Sequence, residues 1–199
     1  RQGSPCTAKR PISPSGRRVL TRFPGAVPMS RFVIQKHAAS SLHYDFRLEV
    51  NGVLKSWAVP KGLSTDPSDK RLAIRTDDHD LDYIDFEGVI PEGDYGAGTV
   101  IVWDRGDYRN LTEEDGASVD IAEALDNGHA VVQLDGEKLR GAYALQRIRK
   151  GDREQWLVIK ADDEQADARR NPVSTQPESV VSGKTIQQVG SEESGGDAA

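Results

Sequence analysis

Nine consecutive residues, Leu42 to Val50 in "LHYDFRLEV", alternate apolar and polar without a break. Side chains along a strand point to opposite faces at every second residue, so this pattern dictates a strand with two unlike faces. Leu42, Tyr44, Phe46, Leu48 and Val50 make one face, and His43, Asp45, Arg47 and Glu49 make the other. Asn51-Gly52 follows at once, and both residue types tolerate positive φ, so a type I′ hairpin turn should lead into "VLKSWAVP". "RFVIQK", "RLAIRT", "GTVIVWD", "HAVVQLDG", "LRGAYALQRIR" and "QWLVIKA" are likewise short, rich in β-branched or aromatic residues, and separated by turn residues.

One stretch, "LTEEDGASVDIAEALDNG", breaks the pattern. Ser118 is a plausible N-cap, Ile121, Ala122 and Leu125 fall at helical spacing, and Gly128 is a stop. Many strands with one or two short flanking helices imply a mainly-β fold, a small β-barrel rather than a βαβ sheet. Of 199 residues 36% are hydrophobic and 29% charged, so part of the chain is expected outside the core. Residues 1–30 read as a basic, flexible arm, 31–161 as the barrel domain, and 162–199 as a disordered acidic tail. Through Arg31 there are seven basic residues and no acidic one, whereas Asp162 to Ala199 carries eight acids against three bases. A basic arm on an acidic body, in a chain of net charge -6, is one way to hold a polyanion near a site that is not itself broadly positive. The single cysteine, Cys6, excludes an intramolecular disulfide and a Cys-based zinc site. With no long apolar run, a soluble, cytoplasmic protein is expected.

Two imidazoles and a carboxylate, His37, His43 and Asp45, are the donors that Mn²⁺, Fe²⁺ or Zn²⁺ take in an open catalytic site. The row would face the barrel lumen or its mouth if the apolar face packed outward; the plainer alternative is a solvent face. Arg47, two residues on, has the planar fork that matches a phosphate held beside such an ion. In "DDHDLDY", His79 and Tyr83 are four apart, so a helical turn would set both on one side for phosphate binding or proton donation. Lys61 and Arg71 are further anion-clamp candidates, and the glycines of "IPEGDYGAGTV" suit either a phosphate nest or a plain turn. A rival constellation, His43, Asp45, His129 and Arg140, has the spacing of iron and 2-oxoglutarate oxygenases.

"RFVIQKHAASSLHYDFRLEVNGVLKSWAVPKG", "DKRLAIRTDDHDLDYIDFEGVIPEGDYGAGTVIVWD" and "GAYALQRIR…QWLVIKA" closely resemble the 3′-phosphoesterase domain of bacterial ATP-dependent DNA ligase D. The resemblance runs from about Arg31 to Lys160 and, with no polymerase or ligase motif beside it, implies a stand-alone or excised module. It implies a small β-barrel and manganese-dependent trimming of DNA 3′ ends in non-homologous end joining, by removal of 3′ ribonucleosides and hydrolysis of the 3′-phosphate. On it, His37, His43 and Asp45 are metal ligands; Arg47, Arg71, His79 and Tyr83 contact the scissile phosphate; Lys61 and Asp77 support them. The implied partners are DNA or DNA/RNA primer-template 3′ ends and an end-joining ligase or polymerase, with the domain itself a monomer away from membranes. One departure stands out. The family's arm carries a Lys-Arg-Asp-Phe run and a Thr-Pro-Glu-Pro run, whereas here Lys9-Arg10 is followed by Pro11. Reduced ribonucleoside removal, or an end-binding module using Arg17, Arg18 and Arg22 with little catalysis, would follow from that loss.

Overall fold

The computed structural model describes residues 29–195, with side chains through 192. The basic arm and its divergent run lie outside the described residues. Antiparallel pairing joins β1 (Ser30–Ala38), β2 (Leu42–Val50), β3 (Val53–Val59), β4 (Lys70–Asp80), β11 (Gln155–Lys160), β10 (Arg140–Arg149), β9 (His129–Gly136) and β6 (Gly98–Asn110) in that spatial order. β6 then pairs back onto β1, which closes an eight-stranded barrel and leaves no free edge. β5 (Gly88–Ile90) is a spur on the outer end of β6, and β7 (Glu113–Glu114) with β8 (Ala117–Ser118) makes a small hairpin. Asn51 and Gly52 take φ of 50° and 86°, the left-handed pair that the β2–β3 turn requires.

α1 (Ile121–Asn127) is the expected helix, but its cap is Asp120, which accepts from the Ala122 amide; Ser118 belongs to β8. Gly128, at φ 89°, closes it. α1 sets Ala124 and Leu125 against the core.

The barrel interior is apolar. Phe32, Ile34, Phe46, Leu48, Trp57, Trp103, Leu134, Leu145, Trp156 and Val158 interdigitate there, with all three tryptophans buried. The apolar face of β2 therefore points inward, and strand parity puts His43, Asp45 and Arg47 on the outer wall. A row facing the lumen is ruled out by this packing, because eight strands enclose only room for side chains to fill.

The stretch after Ala161, expected to be a disordered tail, lies against the barrel as far as Glu192. Asp163 pairs with buried Lys160 and accepts from the Ala142 amide. Thr65 Oγ1 donates to the carbonyls of Asp167 and Arg170. α2 (Pro172–Thr175) lays Val173 on the core. Trp103 Nε1 and Lys138 Nζ both donate to the Gln176 carbonyl. Ser179 donates to Glu87, and α3 (Ile186–Gly195) buries Ile186 and Val189 on Ile101. Captured backbone groups do most of the holding, which explains why a weakly apolar sequence is nonetheless ordered. Among the described residues no helix is long and apolar enough to cross a membrane.

Candidate metal centre and phosphate-binding cavity

The β1–β2 hairpin sets His37 directly across from His43 and Gln35 across from Asp45. On the outer wall these side chains converge: one ligand atom each from His37, His43 and Asp45 lies within 4.8 Å of the others. The wall is dry because other segments cover it. The 3-10 turn Leu81–Asp85 and the Gly-rich turn before β6 roof a cavity of about 380 Å³ lined by these groups with Arg47, Thr76, His79, Tyr83, Tyr95 and Arg153.

The backbone fixes both imidazole tautomers. His37 Nε2 donates to the Gly96 carbonyl at 2.8 Å, and His43 Nδ1 donates to the Ser41 carbonyl at 3.0 Å. Carbonyls only accept, so those nitrogens carry protons, and His37 Nδ1 and His43 Nε2 are the ring nitrogens left facing the Asp45 carboxylate, 3.3 and 3.6 Å away. Each contact needs a positive species between nitrogen and carboxylate: a proton on the ring, or one cation shared by both rings and Asp45. That donor set fits a divalent transition metal with coordination positions left open. Gly96 sits at φ +78°, and a Cβ there would come 3.7 Å from the His37 ring, so the conformation rather than the space calls for glycine.

Burial alone pushes the Asp45 carboxyl up, but bonds from His37 and His43 and the Arg47 charge hold it well below the usual carboxylate range. The bond to Asp45 raises His43.

Arg47 is 3% exposed yet almost fully satisfied. Nε donates to Gln35 Oε1 at 2.7 Å, Nη1 to Ser56 Oγ at 2.8 Å and to His79 Nδ1 at 3.0 Å, and Nη2 faces Asp45 at 3.3 Å. A guanidinium has about five N–H groups, so one on Nη2 remains for a ligand. Arginine cannot accept, so His79 accepting at Nδ1 carries its proton on Nε2. The opposite tautomer, donating from Nδ1 to the Asp77 carbonyl 2.9 Å away, would strip a buried arginine of a partner. Burial, then the Arg47 charge, lowers His79, which favours the neutral ring. Tyr83 lies with its ring 5.2 Å from that of His79, under the Arg47 guanidinium. Thr76 Oγ1 is buried with no hydrogen-bond partner among the described residues.

The residues singled out in the sequence do not all meet. His37, His43, Asp45, Arg47, His79 and Tyr83 line one cavity. His79 and Tyr83 get there from the end of β4 and the 3-10 turn, not from one helical turn. Asp77 only places its carbonyl 2.9 Å from His79 Nδ1, and its side chain is exposed. Arg71 is not brought in: it lies on the β4 face of core residue Ala73 and bonds Asp69 at 2.8 Å. Lys61 is exposed in the turn after β3, outside the cavity. His129, on β9, bonds Gln146 and Arg140 pairs with Asp135, so the oxygenase constellation does not assemble.

Gln35, Ser56, Tyr95 and Arg153 went unread, and Gly96 was singled out only among the glycines of its turn. Gln35 was within reach, since it sits two residues before His37 on the same strand face. Arg153 was not, because only the closed sheet brings its turn to the cavity.

The Gly-rich turn thus serves through a carbonyl rather than as an anion nest.

Fold and site together define a closed β-barrel that gathers a donor set able to hold a cation and a buried arginine in one outer cavity. The chain belongs to the DNA ligase D 3′-phosphoesterase domain family, whose model matches residues 35–147. It is 49% identical over 176 residues, 87% of the chain, to the multifunctional non-homologous end joining protein LigD of Pseudomonas aeruginosa. It is 50% identical over 127 residues, 64% of the chain, to the multifunctional non-homologous end joining DNA repair protein LigD of Mycobacterium tuberculosis. The chain spans 20% and 15% of those two proteins' lengths.

Proposed function

We propose that this domain is a metal-dependent DNA 3′-end phosphoesterase that hydrolyses 3′-phosphates and removes 3′ ribonucleosides during double-strand break repair by non-homologous end joining. The observation that carries this reading is the convergence of His37 Nδ1, His43 Nε2 and the Asp45 carboxylate, with a free Arg47 N–H and the His79 ring beside them. His37, His43 and Asp45 would hold Mn²⁺ or another divalent transition metal, which when bound neutralises phosphate charge and acts as a Lewis acid. The remaining Nη2 hydrogen of Arg47 meets a non-bridging oxygen and stabilises the charge that spreads over it. Gln35 and Ser56 keep that guanidinium from swinging away. His79, neutral with its proton on Nε2, donates to a phosphoryl or leaving oxygen, and the Tyr83 hydroxyl and Thr76 Oγ1 serve as further hydrogen-bond partners. Arg71, bonded to Asp69 and outside the cavity, is assigned no contact with the phosphate in this reading.

Incubation with Mn²⁺ and a 3′-phosphorylated primer-template releases inorganic phosphate, and His43→Ala abolishes the release. An end-binding module with little catalysis predicts the reverse pattern: binding that survives His43→Ala, and an intact 3′-phosphate with every divalent metal tried.

A further inference from the structure

The outer wall continues past the cavity, and the cross-strand register says where it leads. Asp45 lies opposite Ala58, Ala58 opposite Ile74, Ile74 opposite Gln155, and Gln155 opposite Arg149. Neighbouring strands stand about 4.8 Å apart, so this rung runs about 14 Å to Gln155 and about 19 Å to Arg149. The β10–β11 turn at its end reads "RKGDR" from Arg149 to Arg153. Arg149, Lys150 and Arg153 are exposed, and none forms an ion pair among the described residues. Of the adjoining acids, Glu154 is already engaged by Arg147 and Trp156, and exposed Asp152 leaves the turn at a net charge of +2. Arg153 itself lines the metal cavity.

The opposite side of the cavity has the other sign. Past His79 and Tyr83 the surface carries Asp80 and Asp82, with Asp78 paired to Lys55 and Arg75, on a chain whose net charge is -6. A polyanion is repelled there and attracted at the turn.

We propose that Arg149, Lys150 and Arg153 grip the phosphate backbone of the DNA strand whose 3′ end enters the cavity, a surface that rests on the phosphoesterase reading. One strand of a duplex carries a phosphate every ~3.4 Å of axis, so the Arg149 end of the grip falls about four to six phosphates from the reacting end, while Arg153, at the cavity, meets a phosphate nearer to it. It contacts backbone and not base edges, so it holds any sequence.

The test is anisotropy of a labelled primer-template in EDTA, where binding is read without turnover, across about 50 to 200 mM salt. Each lost phosphate contact removes about 0.9 from the slope of log K against log salt, so Arg149→Gln/Lys150→Gln/Arg153→Gln lowers it by about 2.7. Affinity at the lowest salt falls about tenfold or more. Arg140→Gln/Arg169→Gln/Lys184→Gln makes the same charge change off this wall and lowers the slope by less than about 1. An unchanged slope in the first variant, an equal drop in both, or no binding by the wild type overturns the proposal. Phosphate release with Mn²⁺ is scored separately. Release with an unchanged slope removes the grip alone, and a slope change without release removes the chemistry alone.

Discussion

On the inner face of β1 and β2, Phe32, Ile34, Phe46 and Leu48 are 0% exposed; on the outer face, Gln35, His37, Asp45 and Arg47 reach at most 6%. The two faces are nearly alike in burial and unlike in what burial demands. Inside, stabilisation is spread over many small contacts, and hydrophobic side chains of similar volume can substitute for one another. Outside, each polar atom needs a named partner, and removing one strands another in a dry site. The covering segments create that demand: without the 3-10 turn and the Gly-rich turn, the same row would be an ordinary wet strand face.

If the faces differ in this way, substitutions should separate stability from activity. Trp57→Ala opens a cavity in the barrel and costs about 3–5 kcal/mol, read from urea unfolding, with activity per folded molecule retained. His43→Ala, at the rim of the site, shifts the unfolding free energy by less than about 1 kcal/mol. It lowers Mn²⁺-dependent phosphate release by about 10²-fold or more. Equal stability losses in these two variants would erase the distinction between the faces.

Gln35→Ala combines both costs. Gln35 accepts from Arg47 and donates to the Tyr83 and Phe86 carbonyls, so its loss leaves buried groups unpaired on both sides. We expect about 1–3 kcal/mol of destabilisation together with a fall in phosphate release. Ser179→Ala, in the stretch against β5 and β6, costs about 1 kcal/mol because Glu87 and the amides of Val181 and Ser182 lose a partner.

Burial pushes the Lys138 ammonium down to about 8. The unfolded chain then holds that proton more tightly than the folded one. Stability from this group is present above its ordinary range near 10.5 and is lost as pH falls through about 8. Lys138→Met should flatten the rise in urea midpoint from below pH 8 to above pH 10, relative to the wild type.

Much of the fold was legible because alternation and turn chemistry are local. The Leu42–Val50 strand, the Asn51-Gly52 turn and the Gly128 stop each follow from a few adjacent residues. Which face of β2 points inward was not local, because it depends on closure of β6 onto β1 across more than sixty residues of sequence. The order of 162–192 was hidden for a related reason: its partners, Thr65, Trp103 and Lys138, come from elsewhere in the chain. In the site, His37, His43, Asp45 and Arg47 were legible from one hairpin. Arg71 stays outside the cavity because strand parity at β4 turns it to the face of Ala73, and Arg153 was missed because its approach depends on β11 pairing with β4.

The chemistry proposed for the cavity requires His37 Nδ1, His43 Nε2 and the Asp45 carboxylate to share one cation. Anomalous diffraction from crystals soaked in Mn²⁺ tests this most directly. A single manganese peak about 2.0 to 2.3 Å from those three donors is the predicted result. A peak ligated by other residues, or none at this cavity, would contradict it.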